Sequence, residues 1–475
     1  MTACQSATLH SRQNECKLMP LPLAPMEEYL LLDESPAFPM NFFGRFRFSG
    51  HFDRAVFESV LSDVVARNPL LSAIILERRP GCFEWIESKY SGPVVRWLSL
   101  EASRDELQYS AIDIRSECGL RLFIIEEEKT TELVTQTHHA CCDGLGGLYF
   151  IEDLLTAYTL AMGKGSKKTV MRPLDKKLLL RRATFGLTPW KFLRMAHKQA
   201  VGLLGARQFL MRSPAPLIPH EPAHPAETLP ENYPLAVTRR LDRAATSALR
   251  RAAREAGVTQ NDFLLRDLFL AMDHWRKKYN IGNSSDWLRL SVPINLRTAK
   301  DRQMPTANLV SMIFLDRRPA QFGSPKHLLK TINAEMDLIK RLQLGLTFVL
   351  SLSVLRKIPG IIKRMVRADR CRATAVMTNL GRVFTHLPLP RSDGRIVAAN
   401  VVLEGIELIA PIHPYTCASL AVFIYAHRLY VTLHYDPRVM SSNRAEDLID
   451  TYMDFLQATA QSSSKQIQTQ SSANK

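Results

Sequence analysis

The feature that most constrains the fold is a change of hydrophobic period around residue 140. The stretch "TELVTQTHH", beginning at Thr131, alternates and reads as a strand. After Gly144 the period becomes helical: Leu148, Ile151, Leu154, Leu155, Tyr158 and Met162 share one face, and Gly163 is a natural stop. The join between them is "THHACCDG", Thr137 to Gly144. A strand that runs straight into an amphipathic helix predicts layered α/β architecture.

The same alternation of elements recurs along the chain. Phe42, Phe46 and Phe48 predict a strand with one apolar face, and Asp53 is placed to cap a helix carrying Val56, Val60, Leu61, Val64 and Val65. That helix should end near Asn68-Pro69, because proline disfavours continuation. "LLSAIIL" and "LRLFIIEEE" predict further strands. In the second half a helix ends at Gly257 and another opens at Thr259 or Asn261. Strands are predicted at "WLRLSVPINLR", "TANLVSMIFLDRR", "RATAVMTNLG", "ASLAVFIYAH" and "LYVTLHYDP", helices over 326–370, and a closing helix over 442–459.

Composition marks the boundary. Residues 164–212 carry many lysines and arginines and almost no acids, and "SPAPLIPHEPAHPAETLPENYP" reads as an extended proline-rich connection. The predicted organisation is a first lobe over 1–165, a basic and proline-rich connection over 166–235, a second lobe over 236–460 and a disordered tail over 461–475. The 475 residues suffice for more than one core, and the hydrophobic share of 46% fits a folded globular protein.

Charge and cysteine usage narrow the partners. A net charge of +16 suits phosphorylated co-substrates, nucleic acid or an anionic membrane, or simply a solvated basic surface. No nucleic-acid-binding module is visible, so nucleic acid is not expected as a partner. Leu180, Trp190 and Leu210 stand among the basic residues of 164–212, a pattern that suits peripheral contact with an anionic membrane. Eight scattered cysteines are too few for a disulfide framework and read as reduced thiols. The beginning of the sequence has no apolar run of the signal-peptide kind, and the Leu342–Leu355 stretch is too short to span a membrane. The expected location is cytoplasmic, with membrane contact confined to the surface.

The chemistry concentrates in THHACCDG. A metal site, a redox pair and a proton-transferring histidine are the three readings. Consecutive residues at a strand end point to opposite faces, so His138 and His139 cannot readily share one ion, and no other cluster supplies tetrahedral ligands. No metal is expected. Vicinal cysteines make a strained disulfide, and Cys141 and Cys142 are better read as small apolar filler. Two polar residues satisfied within a turn would be the plain structural reading of the histidines.

The order of the residues favours proton transfer. His138, His139, Asp143 and Gly144 match the pattern HHxxxDG, and the chain resembles the chloramphenicol acetyltransferase-like acyltransferases. That superfamily includes condensation domains of nonribosomal peptide synthetases, alcohol acyltransferases and wax ester synthases. Looser similarities run through residues 40–440. They are "VVARNPLLSA", with Asn68 where the family has histidine, "GVTQNDFLL", "VPINLR" followed by Asn308, and "TNLG" at Thr378 to Gly381. The D-F-G-W-G signature of the plant branch is absent.

The resemblance implies two similar α/β lobes in a V with an active-site tunnel between them. It implies that His139 is the general base and that Asp143 pairs with an arginine of the second lobe, for which Arg297 is the candidate. His138 and Gly144 would be structural, and Asn308, Thr378 and Asn379 would line the tunnel. The implied reaction transfers an acyl group from a thioester to an alcohol, with no bound cofactor and acyl-CoA or an acyl-phosphopantetheine as co-substrate. Formation of an amide from a carrier-protein thioester with an amine acceptor, and a non-catalytic binding protein of the same fold, are the alternatives.

Overall fold

The protein is described by a computed structural model covering residues 18–89, 92–99, 109–186, 189–219, 228–367 and 370–473. The start of the chain, expected to carry no leader, and residues 220–227 of the proline-rich connection lie outside the described residues.

The first lobe is built on a seven-stranded sheet. Its order is Arg391–Ser392, Arg395–Ala398, Val401–Ile409, Asn41–Ser49, Thr130–His138, Leu120–Glu126 and Val94–Ser99. Asn41–Ser49 and Thr130–His138 run antiparallel, with Phe42 opposite Thr137 and Phe46 opposite Leu133. Helices Arg54–Arg67 and Gly144–Ala161 contribute Phe57, Val64, Leu154, Leu155 and Tyr158 to the same core, all fully buried. Each such side chain contributes about 1.5–3 kcal/mol by leaving water, so the helices are held by their apolar faces more than by propensity. Asp53 caps the first helix by accepting the Val56 N–H at 3.0 Å.

The second lobe carries a six-stranded sheet. Its order is Val310–Arg317, Leu288–Asn295, Ala375–Arg382, Ala418–Tyr425, Arg428–Tyr435 and Ala236–Leu241. Helices Arg243–Glu255, Gln260–Lys278, Pro325–Leu342 and Ser442–Ala473 pack with it around a separate core. Thr259 opens the second of these helices through a capping box with Asp262. Among the described residues no single helix is long and apolar enough to cross a membrane.

Three strands of the second half, Arg391–Ser392, Arg395–Ala398 and Val401–Ile409, depart from their place in the chain order. Val401–Ile409 lies among the second lobe's strands in sequence but pairs antiparallel with Asn41–Ser49, in the first lobe's sheet. No strand is predicted there from alternation, and the structure shows why. Val401 and Leu403 are buried, the register shifts between Leu403 and Gly405, and Ile406 and Leu408 are buried next. A bulge moves the buried face by one residue, which erases the period of two.

The end of the chain also differs from expectation. The closing helix runs from Ser442 to Ala473 instead of giving way to a disordered tail after residue 460. Residues 461–472 contain neither glycine nor proline, so nothing in them stops a helix. In the connection, a helix spans Pro189–Met211 and is fastened to the second lobe. Thr347 Oγ1 donates to Gln199 Oε1 at 2.8 Å, and the Phe209 and Phe314 rings lie 4.5 Å apart.

Candidate active site

The strand–helix join puts the two histidines in different environments. His138 is fully buried. Its Nδ1 accepts the Ala140 N–H at 3.1 Å, so the ring hydrogen sits on Nε2 and is given to Glu34 Oε2 at 2.8 Å. Both ring nitrogens are occupied, which makes His138 a brace for the turn.

His139 points the other way, into a cavity. Its ring meets Phe42 edge-on with centroids 5.3 Å apart. Its backbone N–H donates to Met40 O at 2.6 Å, and its own carbonyl accepts from Asn308 Nδ2 at 2.7 Å. The side-chain Nδ1 has no hydrogen-bond partner among the described residues. Burial pushes the His139 pKa below its ordinary 6.5, and the nearby Asp143 carboxylate offsets only part of that. Burial therefore favours the neutral ring, the protonation state a general base needs.

The join is clamped by one short segment of the second half. Asn68, at the end of the Arg54–Arg67 helix, accepts the Thr306 N–H and hydroxyl, each at 2.8 Å. Ala307 O accepts from Arg297 Nη2 at 2.8 Å. Asn308 Nδ2 donates to the carbonyls of both His139 and Ala140. The Leu309 N–H donates to Asp143 Oδ2 at 2.8 Å. Asn308 and Leu309 thus tie the motif to the second lobe, and Thr306 beside them ties in Asn68 of the first.

Asp143 is the centre of that clamp. Its Oδ1 caps the Gly144–Ala161 helix through Gly146 N at 2.9 Å, and its Oδ2 accepts from Arg297 Nη1 at 2.7 Å. Both side chains are only 7% exposed, so the ion pair is well shielded from water. Gly144 adopts an ordinary backbone conformation, and its need for glycine is one of space. A Cβ there would press on Leu380 Cδ2 at 3.3 Å.

The cavity holds about 140 Å³ and draws its walls from both lobes. Phe42, Phe46, Thr135 and Leu148 come from the first, and Ser291, Val376, Thr378, Asn379 and Ser419 from the second, with Leu408 and Ile409 from the crossing strand. Its walls are largely apolar, with a few polar groups converging on them, as in a ligand site. Thr378 and Asn379 lie on the wall, where Asn379 Nδ2 donates to Asn261 Oδ1 at 2.9 Å. Gly381 follows at a bulge in that strand with φ +66°, a conformation that glycine adopts without strain. Asn308, expected to line the tunnel, does not reach the cavity wall. It is buried behind the join, because its amide is used to hold two motif carbonyls.

Sequence reasoning missed two cavity groups. His413 lines the cavity with its Nδ1 at 3.0 Å from Asp33 Oδ2. Ser419 also lines it, buried, with no partner for its hydroxyl among the described residues. Neither lies in a motif, and the two members of the His413–Asp33 contact come from opposite ends of the chain. Cys141 and Cys142 are fully buried in the first lobe's core, and burial pushes both thiols well above the usual range. They pack, and Cys141 presses directly against Gly119. Among the described residues, no group of three or more His, Cys, Asp or Glu side chains is placed to hold a metal ion.

No family model matches the chain, and no curated protein matches its sequence. Solved structures do match its fold. The first condensation domain of the CDA synthetase superposes with a TM-score of 0.69 at 14% identity, covering 93% of this chain and 96% of that one. A mutant starter condensation domain of rhizomide synthetase, in complex with C8-CoA and Leu-SNAC, gives 0.66 at 14% identity, covering 93% and 94%. SgcC5 from Streptomyces globisporus, in complex with a naphthyl ethanediol and sucrose, gives 0.65 at 15% identity, covering 93% and 98%. The two-lobed fold of this chain is that of these condensation domains.

Proposed function

We propose that the protein is an acyltransferase that moves an acyl group from a thioester, acyl-CoA, to an alcohol, with His139 as general base. The observation that carries this is the His139 ring, kept neutral by burial, on the wall of a mostly apolar cavity shared by both lobes. The acceptor oxygen bonds to the thioester carbonyl carbon as His139 takes its proton. The tetrahedral intermediate then collapses, the C–S bond breaks, and the thiol leaves. The thioester is already activated, so no covalent acyl-enzyme is required.

Two neighbours support the choice of reactants. One holds C8-CoA, a diffusible thioester, and another holds a diol. The second reading is amide formation from a thioester carried on a phosphopantetheine of a carrier protein. It is favoured by the neighbours that are condensation domains, one of which binds the aminoacyl thioester Leu-SNAC. His139 serves either nucleophile. A binding protein that keeps the fold without turnover is the third reading.

A screen of acyl-CoAs and acyl-phosphopantetheines against alcohols and amines, read by mass spectrometry, separates these. Ester from acyl-CoA is the expected product, and His139→Ala should abolish it. Amide formed only from carrier-bound donors supports the second reading. Binding without any product supports the third.

Contact with an anionic membrane is part of the proposal. Trp190, Leu210 and Met211 are exposed on the Pro189–Met211 helix, beside exposed Arg194 and Arg207. Arg182 does not belong to that basic face. It is buried and paired with the buried Glu27 at 2.7 Å.

A further inference from the structure

We infer that His413 is a second proton-handling residue of the cavity, oriented by Asp33, and that it delivers a proton to the departing thiolate. This rests on the acyl-transfer reading above.

The arrangement begins at the end of the Pro25–Asp33 helix. Consecutive carboxylates, Asp33 and Glu34, each meet a histidine: Glu34 meets His138 in the core and Asp33 meets His413 at the cavity. Asp33 is held from its other side. Its Oδ1 accepts from Arg372 Nη2 at 2.7 Å, and Arg372 also donates to Tyr29 Oη at 3.0 Å and to Val366 O. The carboxylate is therefore fixed. Burial alone would raise its pKa, but His413 and Arg372 outweigh burial and bring it to about 2.

The buried Asp33 Oδ2 has no other donor among the described residues, and the His413 ring nitrogen Nδ1 lies 3.0 Å from it. A buried carboxylate oxygen favours a hydrogen on the nitrogen facing it. That assigns the His413 hydrogen to Nδ1 and leaves Nε2 for a cavity ligand. No hydrogen bond within the described residues occupies Nε2, and the side chain is 22% exposed along the cavity wall.

The two cavity histidines differ in their surroundings, and such differences divide acid from base. His139 has a buried, largely apolar setting against Phe42 that keeps its ring neutral, which suits accepting a proton. His413 has a carboxylate behind its ring, so a proton on Nε2 has a counter-charge in place. As the C–S bond breaks, its electron pair passes to sulfur and the His413 Nε2 proton forms the S–H bond. His139 has meanwhile taken the acceptor's proton. One proton returning from His139 to His413 through solvent restores both rings, with no other reactant consumed.

The test is leaving-group dependence with the full-length protein. Single-turnover transfer to one alcohol is measured for wild type and His413→Gln, using acyl-CoA and the thiophenyl ester of the same acyl chain. Thiophenolate leaves without protonation, whereas the alkyl thiolate of CoA benefits from it. The expected result is a loss on the order of 10²-fold with acyl-CoA in His413→Gln, and a far smaller loss with the thiophenyl ester. Equal losses with both donors, or no loss with either, would overturn the assignment. A leaving-group series on the wild type gives a second reading that needs no variant. A shallow dependence of rate on thiol pKa supports protonation, and a steep one overturns it. If wild type transfers from neither donor while the acceptor screen is also empty, the acyl-transfer reading itself fails. If wild type transfers normally, only the role of His413 is at stake.

Discussion

Arg297 Nη1 lies 2.7 Å from Asp143 Oδ2, and the same oxygen accepts the Leu309 N–H at 2.8 Å. One carboxylate oxygen therefore receives two donors from the second half, while its twin caps the helix that follows the motif. The pair couples the lobes and the turn that carries His139. Removing one partner of a shielded pair leaves the other uncompensated, at a cost of about 3–5 kcal/mol. Asp143→Asn should lower the melting temperature and the turnover together, as should Arg297→Met. The double variant should lose less than the sum of the two single losses. Native melting and full activity in either single variant would show that the pair does not hold the site.

His139→Ala should lose roughly 10²–10⁴-fold in turnover while melting as wild type does. Cys141→Ala and Cys142→Ser should do the reverse, losing about 1 kcal/mol or more of stability from the core but keeping turnover. The pH profile tests the same assignment. His139 acts when neutral, and burial holds its pKa below 6.5, so the rising limb of kcat/KM with pH should have its midpoint below 6.5. A midpoint above that value would point to a different base.

Stability should depend on His434. It is fully buried, and its Nδ1 lies 2.7 Å from Ala410 O. Burial lowers its pKa from 6.5 to about 4. Between those values the unfolded chain binds a proton that the folded chain does not, so stability falls as pH falls through that window. The slope is about 1.4 kcal/mol per pH unit. Below about pH 4 both states are protonated and this contribution stops changing. Urea unfolding from pH 7 down to 4 should show a shallower decline for His434→Gln than for wild type. Parallel declines would remove His434 as the cause.

Binding to anionic liposomes should occur at low salt and weaken as salt rises, because the Debye length shrinks from about 30 Å at 0.01 M to about 10 Å at 0.1 M. Replacing Lys176, Lys177 and Arg181 with glutamine should weaken it. Trp190→Ala should weaken it with little change in salt dependence, since Trp190 contributes apolar surface. Arg182→Gln should act on folding through its buried Glu27 partner. Sedimentation with vesicles measures the first three, and thermal melting the last. No binding at low salt would leave the basic face as solvated surface.

What the sequence by itself determined is local. The change of period at THHACCDG predicted the strand and helix that meet there, and Asp53 and Thr259 marked the helix starts that the structure shows. The opposite directions of His138 and His139 followed from their being consecutive residues at a strand end. Each of these rests on neighbours within a few residues, which periodicity and capping record directly. The tertiary structure decided the rest. It alone placed Val401–Ile409 in the first lobe's sheet, because a bulge at Gly405 removes the alternation that would have announced a strand. It moved Asn308 from the cavity wall to the back of the motif and brought His413 to Asp33. Such contacts join residues far apart in the chain, and they form only as the chain closes on itself in three dimensions. A side chain's neighbours across that closure leave no period, spacing or cap in the sequence from which they could be read.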